Sequence, residues 1–154
     1  MPITMQDVRA WLDGDEVDYK SAKKLGAAAI PFLMELVKGG DLGLASKAAY
    51  LASFIKSKQA AAVVESAAAS NEPLLRVAAA SGIGNLPLPQ AEKLLDLLSE
   101  DPDAGIRKVA LRSALPLKSS RVAAKIQKMA RTDPEPFVRE LAASAVKRVR
   151  RKKK

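Results

Sequence analysis

Four stretches of the chain carry one pattern of polar, small and apolar positions. Its polar markers are Ser46, Arg76, Arg107 and Arg139, spaced 30, 31 and 32 residues apart. Three residues beyond each marker stands alanine (Ala49, Ala79, Ala110, Ala142), and six beyond it a small residue (Ala52, Gly82, Ser113, Ala145). Thirteen residues before each marker stands an aliphatic one (Leu33, Val63, Leu94, Ile126). A period of this length marks a stacked array, in which each unit buries its apolar side against the next, and not a fold enclosing one cleft.

Within a unit the spacing predicts two helices. Ala91, Leu94, Leu95, Leu97 and Leu98 form a broad apolar face on the first helix of unit three, and Val122, Ile126 and Met129 a stripe at i, i+4 and i+7 in unit four. Ser70-Asn71-Glu72-Pro73, Asp101-Pro102-Asp103 and Asp133-Pro134-Glu135-Pro136 supply the turns. Proline stops one helix and can open the next, and Asp, Ser or Asn beside it can satisfy free amides at the new helix start. The second helices follow; in the last, Val138, Leu141, Ala145 and Val149 share a face. Links between units (Lys56–Lys58, Asn85–Pro89, Leu117–Ser119) are short, which makes neighbouring helices antiparallel.

The N-terminal segment fits the pattern less well. Val8, Trp11 and Leu12 predict a short helix, Asp13-Gly14-Asp15 a turn, and Tyr19 to Gly26 a second helix. This segment reads as a degenerate cap over the end of the stack. The expected organisation is one domain over 1–149: a cap at 4–26, repeats near 28–55, 58–84, 88–115 and 119–149, and a basic tail at 150–154 that frays.

Composition then removes whole classes of chemistry. The chain has no Cys and no His, which excludes disulfides, thiolate nucleophiles, zinc-thiolate sites and Ser-His-Asp or Cys-His catalysis. No carboxylate loop has the spacing of a Mg or Ca site, so no metal or cofactor is expected. No apolar run reaches the length of a membrane span, and Met1-Pro2-Ile3-Thr4 lacks the order of a secretion signal. A cytoplasmic monomer is the expectation.

The formal charge of +9 is uneven: residues 1–50 and 51–100 are each net −1, whereas residues 101–154 carry 16 basic and 5 acidic side chains, net +11. Such asymmetry is the footprint of a polyanionic or acidic partner, and equally of a solvated, solubilising surface. Lys108 and Arg112 are i, i+4 neighbours, and Lys147, Arg148 and Arg151 extend the positive surface into the run Arg150-Arg151-Lys152-Lys153-Lys154. A second basic face is formed by Lys118, Arg121, Lys125 and Lys128, within about 80° of arc at 100° per residue.

The turns carry a resemblance. Asp101-Pro102-Asp103-Ala104-Gly105-Ile106-Arg107 and Asp133-Pro134-Glu135-Pro136-Phe137-Val138-Arg139, each followed by the alanine and small-residue pair, resemble the HEAT repeat family in its short bacterial and archaeal form. Ser70 to Arg76 is a looser copy, and Ala29-Ile30-Pro31-Phe32-Leu33 resembles the family's first-helix opening. The resemblance implies an all-α, right-handed solenoid of four helical hairpins plus the cap, its second helices lining a concave face. It implies that Arg76, Arg107 and Arg139 pair with acids such as Asp101 and Asp133 in a structural ladder, incomplete where Ser46 replaces arginine. It also places Lys108, Arg112, Arg148 and Arg151 on the concavity, beyond the mostly uncharged Lys47, Leu51, Val77 and Ser81.

Three functional readings follow. The first is noncatalytic recognition of a protein partner, an acidic or amphipathic segment, through the concave surface. The second is binding to the phosphate backbone of duplex nucleic acid. Phe137 is the only aromatic in the basic third to stack on bases, so such binding would lack sequence preference. The candidate residues for either are Lys108, Arg112, Lys147, Arg148, Arg151, Lys152 and Lys153. The third is a lyase- or glycosylase-type HEAT enzyme. Di-iron relatives need His-Glu pairs, which this chain lacks, and Trp11 lies far in sequence from the basic third.

Overall fold

A computed structural model describes the backbone of residues 2–152 and the side chains of residues 2–148. Lys153, and the side chains of Arg151 and Lys152, therefore lie outside the described residues. Ten α-helices and no strand occur among the described residues. The first helices of the four hairpins are α3 (Ile30–Lys38), α5 (Lys58–Ala68), α7 (Leu88–Leu98) and α9 (Ser120–Thr132). The second helices are α4 (Leu42–Ser53), α6 (Pro73–Gly82), α8 (Ala104–Ala114) and α10 (Pro136–Lys152). The backbone is thus helical through Lys152, where the sequence was expected to fray from Arg150. Ahead of the hairpins lie α1 (Met5–Leu12) and the single turn α2 (Tyr19–Ala22).

Local chemistry sets these boundaries. Side chains of Asp41, Ser57, Asp103 and Ser119 accept from the amides of Leu44, Ala60, Ile106 and Val122, satisfying first-turn donors that have no helical partner. Thr4 and Asp7 form a capping box at α1, with Asp7 N donating to Thr4 Oγ1 and Thr4 N to Asp7 Oδ2. Proline stands in the first turn of α3, α6 and α7, where its missing N–H removes no helical bond.

Each hairpin packs on its neighbours in sequence. The repeating positions are those that touch: Leu33, Val63, Leu94 and Ile126 are buried, as are Ala49, Ala79, Ala110 and Ala142. Alanine at these contacts lets helices approach closely, so the core is a continuous seam of small residues punctuated by Leu, Ile and Val. The second helices α4, α6 and α8 lie closer to one another than the first helices do, so they form the inner layer of a curved array.

Two expectations change here. Leu97 is 53% exposed, while Ala91, Leu94, Leu95 and Leu98 are buried. Among the described residues no further helix of the outer layer covers Leu97. The second cap helix is shorter than the expected Tyr19–Gly26: α2 lasts four residues and passes into a 3-10 segment, Lys23–Ala29. Gly26 there adopts φ 66°, a left-handed conformation that glycine takes readily and that breaks the helical path.

Candidate interaction surfaces

The ladder residues sit where one hairpin meets the next. Arg76 Nε donates to Asp101 Oδ2 at 2.7 Å, and Arg107 Nε and Nη2 donate to Asp133 Oδ2 and Oδ1 at 2.9 and 3.1 Å. Each guanidinium also binds its own turn. Arg76 Nη1 reaches the carbonyls of Ser70 and Asn71, Arg107 Nη1 those of Asp101 and Pro102, and Arg139 Nη1 that of Asp133. One arginine thus locks its own turn and grips the next. Burial pushes the Asp133 carboxyl up, but hydrogen bonds from Arg107 and the Glu135 amide outweigh it and leave the group below the usual carboxylate range. The Arg107 guanidinium is shifted up by the same bond. Ser46 donates to Leu42 O within its own helix, so no rung joins the first two hairpins there.

On the inner layer, Tyr19, Tyr50 and Phe54 form an aromatic group: Tyr19 and Tyr50 meet edge to face with centroids 4.7 Å apart, and Tyr19 stacks on Phe54 at 5.8 Å. Tyr19 and Tyr50 border a shallow depression of about 330 Å³ with Ser46, Lys47, Ala78 and Ser81. Burial raises the Tyr19 hydroxyl above its ordinary pKa. Nothing in the repeat pattern flagged this group, because Tyr19 comes from the irregular cap.

Two residues placed on the inner surface behave otherwise. Leu51 is fully buried. Lys47 is half-buried, and its Nζ donates to Leu12 O at 3.1 Å and Gly14 O at 2.7 Å, fastening the end of α1 to the first hairpin.

The C-terminal cations separate into two environments. Lys108 is half-buried with its Nζ 5.6 Å from the centroid of the Phe137 ring, a cation–π arrangement bridging α8 and α10. Arg112, Lys147 and Arg148 are exposed on the same helices. The second basic face lies on α9 and its approach, and much of it is neutralised by α7. Arg121 Nη2 stands 2.8 Å from Asp96 Oδ2, while Lys125 Nζ stands 3.8 Å from Asp96 and 3.7 Å from Glu100. Lys118 and Lys128 are exposed. Lys128 also lines a cleft of about 430 Å³ between the turns of the third and fourth hairpins, with Glu100, Lys125 and the Arg107–Asp133 pair.

Antiparallel helical hairpins stacked in sequence order, joined by arginine–carboxylate rungs, define an α-solenoid. The chain belongs to the HEAT repeat family, whose model, described as HEAT repeats, matches residues 61–147. The fold is similar to that of a chain in the structure of the complex of CpcE and CpcF of phycocyanin lyase from Nostoc sp. PCC7120. The TM-score is 0.68 at 22% sequence identity, covering 92% of this chain and 96% of that one. At this identity the likeness is one of fold. No curated protein matches the sequence. No helix is long and apolar enough to cross a membrane among the described residues.

Proposed function

We propose that this HEAT-repeat scaffold acts without catalysis, by gripping a partner protein along its inner helix layer. The observation that carries the reading is the polarity of that layer. Tyr19 and Tyr50, backed by Phe54, border a shallow depression at one end, and Lys108, Arg112, Lys147 and Arg148 supply cations at the other. An extended or helical segment with an apolar anchor at one end and acidic residues at the other matches both ends at once. The half-exposed aromatics would supply burial, and the cations orientation and encounter rate. The similar fold found in a complex of two proteins is in keeping with this reading.

A second reading, binding to the backbone of duplex nucleic acid, is favoured by the exposed Arg112, Lys147 and Arg148 on one stretch of surface. The two are separated by capture from nuclease-treated lysate on the immobilised wild-type chain and on a variant carrying K108E, R112E, K147E and R148E. A protein retained in stoichiometric amount by the wild type and lost from the variant supports the first reading. Retention that survives the four substitutions, or that vanishes with nuclease, overturns it. Duplex binding at micromolar protein and about 50 mM salt, weakening steeply toward about 200 mM, would establish the second instead.

A further inference from the structure

We propose that the arginine–aspartate ladder continues between copies of this chain, with Arg139 of one copy donating to Asp13 of the next. The two ends of the array each hold half a rung. Arg139 binds Asp133 O through Nη1, as Arg107 binds Asp101 O. Arg107 also spends Nε and Nη2 on the carboxylate of the following turn, whereas that Nη1 bond is the one side-chain hydrogen bond of Arg139 among the described residues.

At the other end, Asp13 repeats the backbone of the established acceptor. Asp133 closes α9 with φ −62°, ψ 134° and its N–H on Met129 O, and Asp13 closes α1 with φ −69°, ψ 145° and its N–H on Arg9 O. Asp133 directly follows the first helix of the fourth hairpin, and Asp13 directly follows the first helix of the cap. Asp133 is buried under Arg107, whereas Asp13 is exposed.

The surroundings agree in charge. Arg131 on α9 and Lys147 on α10 are exposed cations of the last hairpin. Asp15 and Glu16 beside Asp13 are exposed acids, and Trp11 close by is 42% exposed, an indole face that can accept a guanidinium such as Arg131. Arg9, Lys20, Lys23 and Lys24 lie on the same cap, so the attraction is local to the 13–16 turn. A donor at one end and an acceptor at the other make the contact heterologous, so copies add head to tail into rows instead of closing as a two-fold dimer. This replaces the monomer expected from the sequence.

Sedimentation velocity over a concentration series tests the idea. At about 50 mM salt the wild-type chain should show a weight-average coefficient that climbs with concentration, and at about 500 mM salt the climb should shrink as exposed charges are screened. D13N and R139Q should each weaken association about tenfold or more. Because R139Q also loses an internal bond, the decisive variants exchange the charges. D13R alone and R139D alone should stay monomeric, while the double variant, carrying D13R and R139D together, or an equimolar mixture of the two single variants, should associate again. A wild-type chain that remains monomeric throughout the low-salt series overturns the proposal, as does association that D13R leaves unchanged or that the charge exchange fails to restore.

Discussion

Gly82 and Ser53 mark a close helix crossing in the array: a Cβ placed on Gly82 would stand 2.6 Å from the Ser53 Cβ and 2.9 Å from its Oγ. Ser53 cannot withdraw freely, since it is buried, donates to Tyr50 O at 2.6 Å and accepts from Asn85 Nδ2 at 3.0 Å. At an exposed helical site, replacing glycine with alanine stabilises by roughly 0.5–1 kcal/mol. Here overpacking wins, and G82A should destabilise by about 1–3 kcal/mol in urea denaturation. An unchanged or raised midpoint would show that α4 and α6 separate without cost.

The same seam recurs one hairpin later with backbone as the obstacle. A Cβ on Gly84 would lie 2.5 Å from Ser113 O, while Gly84 N donates to Ser113 Oγ and that hydroxyl donates to Ser81 O. G84A should therefore cost about as much as G82A, roughly 1–3 kcal/mol, and S113A less, about 1 kcal/mol for its hydrogen bonds. The reverse order in calorimetry would mean that the hydroxyl and not the close approach holds α6 to α8.

The Arg107–Asp133 rung should be the costliest to break from one side. Their side chains are 8% and 2% exposed, against 18% and 4% for Arg76 and Asp101. Removing one partner strands a buried charge, so R107A or D133A should cost about 3–5 kcal/mol, and R76A less because water reaches Arg76. The depressed Asp133 carboxyl fixes the pH sign. Its stabilisation is fully present above the unfolded carboxylate pKa of about 3.9 and is lost as pH falls through its lower folded value. Acid unfolding of the wild type should steepen below about pH 4, and D133N should flatten that limb. Parallel limbs for the two would place the acid-sensitive group elsewhere.

What could be read from the chain, and what could not, follows from periodicity. Positions that touch an identical neighbour recur at a fixed spacing, so the helix pairs and the buried alanines stand out in the sequence alone. The expectation that Arg76, Arg107 and Arg139 meet acids such as Asp101 and Asp133 comes with the resemblance to the HEAT family, and which arginine meets which acid comes from the structure. Features that occur once have no period to betray them. Tyr19, from the irregular cap, stacks on Phe54, and Lys47, at the rim of the inner depression, gives its ammonium to two carbonyls of the cap. The α9 stripe is a related case. An 80° arc of cations looks like a binding face until Asp96 on α7 and Glu100 in the turn after it come up from another stretch of sequence.

Lys47 gives a direct handle on the cap. K47M keeps the aliphatic stem but removes the donors to Leu12 O and Gly14 O, so α1 should loosen while the hairpins stay intact. Charged hydrogen bonds of this kind contribute about 1.5–3 kcal/mol. Hydrogen exchange in residues 5–12 should accelerate at least about tenfold, with α6 and α8 unchanged. Equal acceleration across all helices would mean that the cap and the array unfold as one unit.

The two cationic surfaces of the last hairpins should differ in what neutralisation does. Arg121 and Lys125 already face carboxylates, at 66% and 15% side-chain exposure, and such pairs contribute under about 1 kcal/mol and little free charge. R121Q with K125Q should leave partner or duplex binding nearly unchanged. Arg112 and Arg148 are exposed, with no ion pair among the described residues. For a protein partner, R112Q with R148Q should slow association more than it speeds dissociation, because unpaired surface charge acts mainly on encounter. For a duplex, it should flatten the slope of log affinity against log salt by about 2, one unit for each lost phosphate contact. Surface plasmon resonance at several salt concentrations reads both quantities. Equal effects from the two pairs of substitutions would mean that the outer layer takes part in binding and that the inner layer alone is the wrong surface.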